Sequence, residues 1–174
     1  SDVCSSDLTD PAFLNGLAGS LTNLSIRYSQ LGRPQEALPA TQEAVAIRRR
    51  LVKTNPERRQ DLALSLVNLG NDYSELGRRQ EALAVAQEAV GIYRQLAKTD
   101  PTVRNDLAGT LANLGTFFSE LGRRQEALAP ARESVAIRRV LATTNPAMLD
   151  GLADSLNNLG GNYSEMGRRQ RSEE

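Results

Sequence analysis

Apolar residues between Leu62 and Leu96 fall at helical spacing, and the same arrangement returns along the whole chain. Leu62, Leu66, Leu69 and Tyr73 are separated by four, three and four positions, which puts them in one stripe on one helical face. A second set follows a short basic turn: Ala82, Leu83, Ala86, Ala89, Val90, Tyr93 and Leu96. Between the sets stands Gly77, a residue able to take the left-handed conformation that closes a helix. Gly32, Gly77, Gly122 and Gly167 each follow Leu or Met and lie 45 positions apart, and Pro11, Pro56, Pro101 and Pro146 keep the same interval. Self-similarity at a period between about 20 and 50 residues marks a solenoid array.

Each unit opens with Asp10-Pro11, Asn55-Pro56, Asp100-Pro101 or Asn145-Pro146. Asp and Asn accept a hydrogen bond from the free N–H groups of a first turn, and proline suits the first helical position, where its missing N–H has no partner to lose. The pattern predicts a helix A near Pro56 to Leu76 and a helix B that packs antiparallel on it and ends near Lys98-Thr99. Small alanines in helix B let the two approach closely. Counterparts are predicted near Pro11 to Leu31, Pro34 to Lys53, Pro101 to Leu121, Arg124 to Thr143 and Pro146 to Met166. The fold is therefore all-α, an alpha-solenoid of antiparallel helix pairs with seven helices. Its units are 10–55, 56–100, 101–145 and a half repeat, 146–170.

Two details follow from the same pattern. Pro39 lies near enough to the start of its helix to be tolerated, whereas Pro130 removes a backbone hydrogen bond and is expected to bend the third helix B or delay its start. The fourth helix A has no helix B, so Leu156, Leu159 and Tyr163 lack cover. A terminal repeat without a polar cap is sticky, which predicts self-association through the C-terminal helix.

The opening SDVCSSDL and the closing RSEE fit no register. Cys4 to Leu8 and Arg171 to Glu174 can be encoded by one sequencing adapter read in its two orientations. Residues 1–8 and 171–174 are therefore expected to be non-native or disordered tails, and the chain to be a fragment of a longer protein.

Composition narrows the job without naming it. The chain is 40% hydrophobic and 24% charged, with 21 basic and 21 acidic residues. A protein that neutralises nucleic-acid phosphates carries a basic excess, so nucleic acid is a disfavoured partner. No apolar run approaches the roughly 20 residues of a membrane span, and the expected location is the cytoplasm. The single cysteine, Cys4, cannot form an internal disulfide. Catalysis finds little support: histidine is absent, there is no Gly-rich phosphate loop or zinc spacing, and Asp61, Asp72 and Asp106 read as helix-surface carboxylates. No cofactor or metal is expected.

The stretch NLGNDYSELGRRQEALAVAQEA resembles the tetratricopeptide repeat family. Leu69-Gly70 and Tyr73 match its helix A positions, Gly77 its turn, and Ala82 and Ala89 its helix B. The third repeat keeps Leu114-Gly115, Phe118, Gly122 and Ala127 but has Ser134 for the last alanine, and the first has Ser25 for the small glycine. The family's minimal unit is about 34 residues. The longer unit here is more similar to the extended repeats of kinesin light chains and of large bacterial regulatory proteins. The resemblance covers residues 10–170 and implies a right-handed superhelix whose concave face, lined by helices A, binds peptides or protein surfaces.

Mapped residue by residue, the resemblance places Asn23 and Ile26 in such a groove, followed by Leu64, Val67, Asn68 and Asn71, then Asn113 and Thr116, then Asn157 and Asn158. The ladder Asn23, Asn68, Asn113 and Asn158 fits an extended peptide, because an amide both donates and accepts; the same asparagines could instead only bridge neighbouring helices. Family members that clamp a C-terminal carboxylate use cations where this chain has Gly19, Leu64, Gly109 and Asp154. The expected partner is thus a peptide with apolar or basic side chains. Arginines recur at the turns (Arg33, Arg78-Arg79, Arg123-Arg124, Arg168-Arg169) and near the ends of helices B (Arg48-Arg49-Arg50, Arg138-Arg139). They read mainly as helix-end charges compensated by Glu36, Glu81 and Glu126, and as a basic ridge for RNA only distantly. The sequence thus supports a peptide-binding scaffold first and an assembly segment second.

Overall fold

The computed structural model of the protein describes residues 10–173, with side chains through Ser164. Seven α-helices occur among them: α1 (Pro11–Gln30), α2 (Pro34–Thr54), α3 (Arg59–Glu75), α4 (Arg79–Leu96), α5 (Arg104–Glu120), α6 (Arg124–Thr144) and α7 (Leu149–Glu173). The chain divides into two compact units, Ser1–Ile92 and Tyr93–Glu174, with the break inside α4.

Each helix A starts at the expected Asx-Pro dipeptide. The side chains of Asp10, Asn55, Asp100 and Asn145 accept from the N–H two residues on, at 3.0, 3.1, 2.8 and 3.1 Å. Three of these starts differ from the expectation in detail. Pro56–Arg58, Pro101–Val103 and Pro146–Met148 are single 3-10 turns that lead into α3, α5 and α7. A capped Pro turn closes tightly, through bonds such as Met148 N–H to Asn145 O at 3.0 Å, before the α-helical register takes over.

The turns after α1, α3 and α5 close as predicted. Gly32, Gly77 and Gly122 have φ of 68°, 71° and 73°. The following N–H groups of Arg33, Arg78 and Arg123 reach back to the carbonyls of Tyr28, Tyr73 and Phe118 at 2.9, 2.8 and 2.9 Å, the bond that defines a Schellman cap. The fourth unit departs from this. α7 runs through Gly167 to Glu173 instead of ending near Met166. In the complete pairs a returning helix B accompanies the left-handed glycine, and among the described residues none returns after α7.

Leu62, Leu66, Leu69 and Tyr73 of α3 are buried, as are Ala82, Leu83, Ala86, Ala89 and Val90 of α4, with Leu96 half-buried at its end. In the second unit Leu107, Leu111, Leu114 and Phe118 of α5 occupy the same places against Ala127, Leu128, Ala131 and Val135 of α6. Pro130 lies buried within α6, which still begins at Arg124, so the helix start is not delayed. Of the three α7 residues expected to lack cover, Leu156 and Tyr163 are 40% and 45% exposed, whereas Leu159 is half-buried. Among the described residues no helix is long and apolar enough to cross a membrane.

Candidate recognition face

The recurring arginines are largely absorbed by the scaffold. Arg33, Arg78 and Arg123 each pair with the glutamate three residues on and lie over the aromatic ring that closes the preceding helix, at 5.3, 4.6 and 4.9 Å from its centroid. The carboxylate bond holds each guanidinium firmly protonated. Exposed pairs of this kind are screened by water and contribute little, so they fix the turn's shape more than they stabilise the fold. Arg49 binds Glu88 and Arg94 binds Glu133, each at 2.5 Å, one repeat apart.

Arg48 is different, because it is buried. Its Nη1 donates to the Asp61 carbonyl and to Ser65 Oγ, both at 2.6 Å, while its Nε has no partner in the described structure. Burial lowers its pKa, opposed by Asp61. Two repeats on, Arg138 bonds the Gly151 carbonyl and Ser155 Oγ, and its Nε is likewise without a partner. The repeat between them has Tyr93 at this place, buried and pushed up to about 12 by burial first and then by Asp106.

Sequence reasoning missed the most informative group. Asp72 is not a helix-surface carboxylate: it is 3% exposed, facing α1 and α2. Ser29 Oγ donates to its Oδ1 at 3.1 Å and Thr41 Oγ1 to its Oδ2 at 2.5 Å. Burial pushes the Asp72 pKa up, and the two hydroxyls oppose that rise. The signal available beforehand was helical register, since Asp72 lies next to Tyr73 and three positions from Leu69. Asp61 and Asp106, by contrast, do lie toward the surface.

The predicted recognition residues come together only in part. In the first unit Ile26, Asn68 and Asn71 line a pocket of about 150 Å³, with Asp72, Glu75 and Gln30 completing its wall. Asn23 and Leu64 are exposed and Val67 half-buried outside that pocket. In the second unit Asn113 is half-buried, and Thr116, Asn157 and Asn158 are exposed. Thr116 turns its hydroxyl back to the Ala112 carbonyl at 3.2 Å. That unit carries a different depression, apolar and of about 300 Å³, formed by Arg104, Ala136, Ile137, Val140 and Leu141.

Paired helices at a fixed period, each capped by the same glycine motif, define a helical-repeat solenoid. The tetratricopeptide repeat model matches residues 17–57, 62–101, 107–143 and 152–174, and the chain belongs to the tetratricopeptide repeat family. No curated protein sequence matches it. Among solved structures it is similar to BtubC (BKLC) from P. vanneervenii, at 23% identity and a TM-score of 0.72, over 94% of this chain and 61% of that one. It is also similar to a kinesin light chain-like protein of nearly identical TPR-like repeats from Podosopora anserina, at 25% identity and a TM-score of 0.67, over 98% of this chain and 74% of that one. The chain thus spans less than two thirds of the length of BtubC. Tetratricopeptide repeats generally mediate protein–protein interaction.

Proposed function

We propose that this protein is an interaction scaffold that captures a peptide or protein segment along the exposed face of its A helices, as part of a larger regulatory protein. The observation that carries this reading is the apolar surface left exposed on α1 and α3. Ile26 and Leu64 are 38% and 49% exposed among the amides Asn23, Asn68 and Asn71, although burying such apolar side chains is worth about 1.5 to 3 kcal/mol. An extended segment would place apolar side chains on Ile26, Leu64 and Val67. Its backbone would run along Asn68 and Asn71 in the first unit, and Asn113, Thr116, Asn157 and Asn158 would offer a comparable face in the second. Selection from a random phage-displayed peptide library tests this directly. The protein should yield binders that the double variant Asn68→Ala, Asn113→Ala loses; binders unaffected by the double change would overturn the assignment of the face.

A second reading, self-association, is favoured by Leu156 and Tyr163, which lie exposed on α7. Light scattering decides it: mass that rises with concentration, with no peptide binders selected, supports assembly over capture.

A further inference from the structure

We propose that the pocket of the first unit accepts a lysine or arginine side chain, with Asp72 as the group that reads its charge. This deepens, and rests on, the reading of the A-helix face as a peptide-binding surface.

The pocket joins three features. Its wall includes a carboxylate that is nine-tenths buried, its rim carries a second carboxylate, Glu75, and its remaining lining is amide, hydroxyl and the apolar side of Ile26. Those are the surfaces a long cationic side chain needs, an apolar stem contact followed by acceptors at the tip. Asp72 keeps acceptor capacity. An ionised carboxylate offers about four lone-pair sites, of which Ser29 takes one and Thr41 another. Both donors come from neighbouring helices and fix the carboxylate's orientation. Arg27, next to Ile26 in α1 but not part of the lining, donates to Gln30 Oε1 at 3.0 Å.

The architecture does not itself ask for a carboxylate here. The same register position holds Arg27 in the first repeat, Phe117 in the third and Asn162 in the fourth. Asn162 accepts from Ser119 Oγ at 2.6 Å, so an amide satisfies the same serine bond without charge. A buried carboxylate is costly, and its hydroxyl partner Thr41 is replaced by Ala86 and Ala131 in the later repeats. Charge and second donor therefore occur together, in a repeat interface that also has a pocket.

The test uses Nα-acetyl-arginine methylamide and Nα-acetyl-lysine methylamide as probes, with the uncharged Nα-acetyl-citrulline methylamide as control. Titrations of the isotope-labelled protein are followed by the backbone amide shifts of Ser29, Asn68, Asn71 and Asp72. At least one cationic probe should shift these resonances saturably and the citrulline probe should not. Asp72→Asn, which places in the first unit the side chain found at 162, should weaken that probe about tenfold or more, as loss of a charge-assisted bond requires. Equal binding of citrulline, no saturable shift with either cation, or unchanged binding by the variant would overturn the proposal. The peptide selection separates the two readings. Binders without any preference for lysine or arginine, alongside silent probes, would remove the cation pocket and leave the scaffold. Asp72-dependent probe binding without selected peptides would remove the scaffold and leave the pocket.

Discussion

The two units share some of the contacts that hold them together and differ in the side chains at other inward-facing positions. Arg48 on Ser65 in the first unit has its counterpart in Arg138 on Ser155 in the second. Gln42 on the Tyr73 hydroxyl has its counterpart in Arg132 on that of Tyr163. These bonds recur two repeats apart. Other positions diverge. Asp72 becomes Asn162, and its donor Thr41 becomes Ala131. Leu14, 8% exposed in a cluster with Ile47 and Leu51, becomes Arg104, and the apolar depression beneath it lies open, with Val140 63% exposed. A period imposed by packing thus constrains the joints and leaves the remaining positions free to differ in charge.

The comparison can be broken or sharpened by substitution. The largest effect is expected where the units agree: Leu66→Ala and Leu111→Ala, each at a fully buried position, should both cost about 2 to 5 kcal/mol in urea denaturation. A clear difference between them would show that the two cores are not equivalent. Thr41→Ala comes next, because it removes a hydrogen bond to a buried carboxylate, and should cost about 1.5 to 3 kcal/mol. In a Asp72→Asn background the same change should cost much less, and a double-mutant cycle reads the difference. Equal costs in both backgrounds would mean that Thr41 serves only its contact with the Ala37 carbonyl.

Arg104→Leu should act in the opposite direction, restoring the side chain found at position 14 and stabilising by about 1 kcal/mol through apolar burial. Thermal unfolding checks it, and no gain would show that the depression is shaped differently from the Leu14 cluster. The smallest effect concerns pH. Folded Asp72 holds its proton more readily than an ordinary carboxyl of pKa 3.8, because burial disfavours the charge. The folded state therefore binds more protons in the window that opens near that value, and this group's contribution to stability is lost as pH rises through it. The stability of Asp72→Asn relative to the parent should accordingly increase from acid toward neutral pH, measured by denaturation at several pH values. A flat difference would place Asp72 in water.

Much of the fold was legible because its determinants are local or periodic. The Asx-Pro starts and Leu-Gly stops each act within a few residues, and the apolar stripe needs only the helical period. Position 167 shows the limit of local reading: it carries the same glycine as positions 32, 77 and 122, yet α7 continues through it. Pro130 shows the same limit from the other side, since α6 begins at Arg124 in spite of it. The pocket of the first unit was less legible. Ile26, Asn68 and Asn71, expected in a groove from family resemblance, do line it, but Asp72 was assigned to the surface, because an aspartate in a helix is more often solvated than buried.

By itself the sequence determined the helices, their pairing, the turn geometry and the periodic core, all of which follow from spacing along one chain. Only the tertiary structure decided which polar side chains leave solvent. Asp72 is buried because Ser29 and Thr41, 43 and 31 positions away, converge on it from two other helices. Periodicity says which face of a helix turns inward. What waits on the opposite side, whether a hydroxyl, a methyl group or open space, is fixed only when the helices meet.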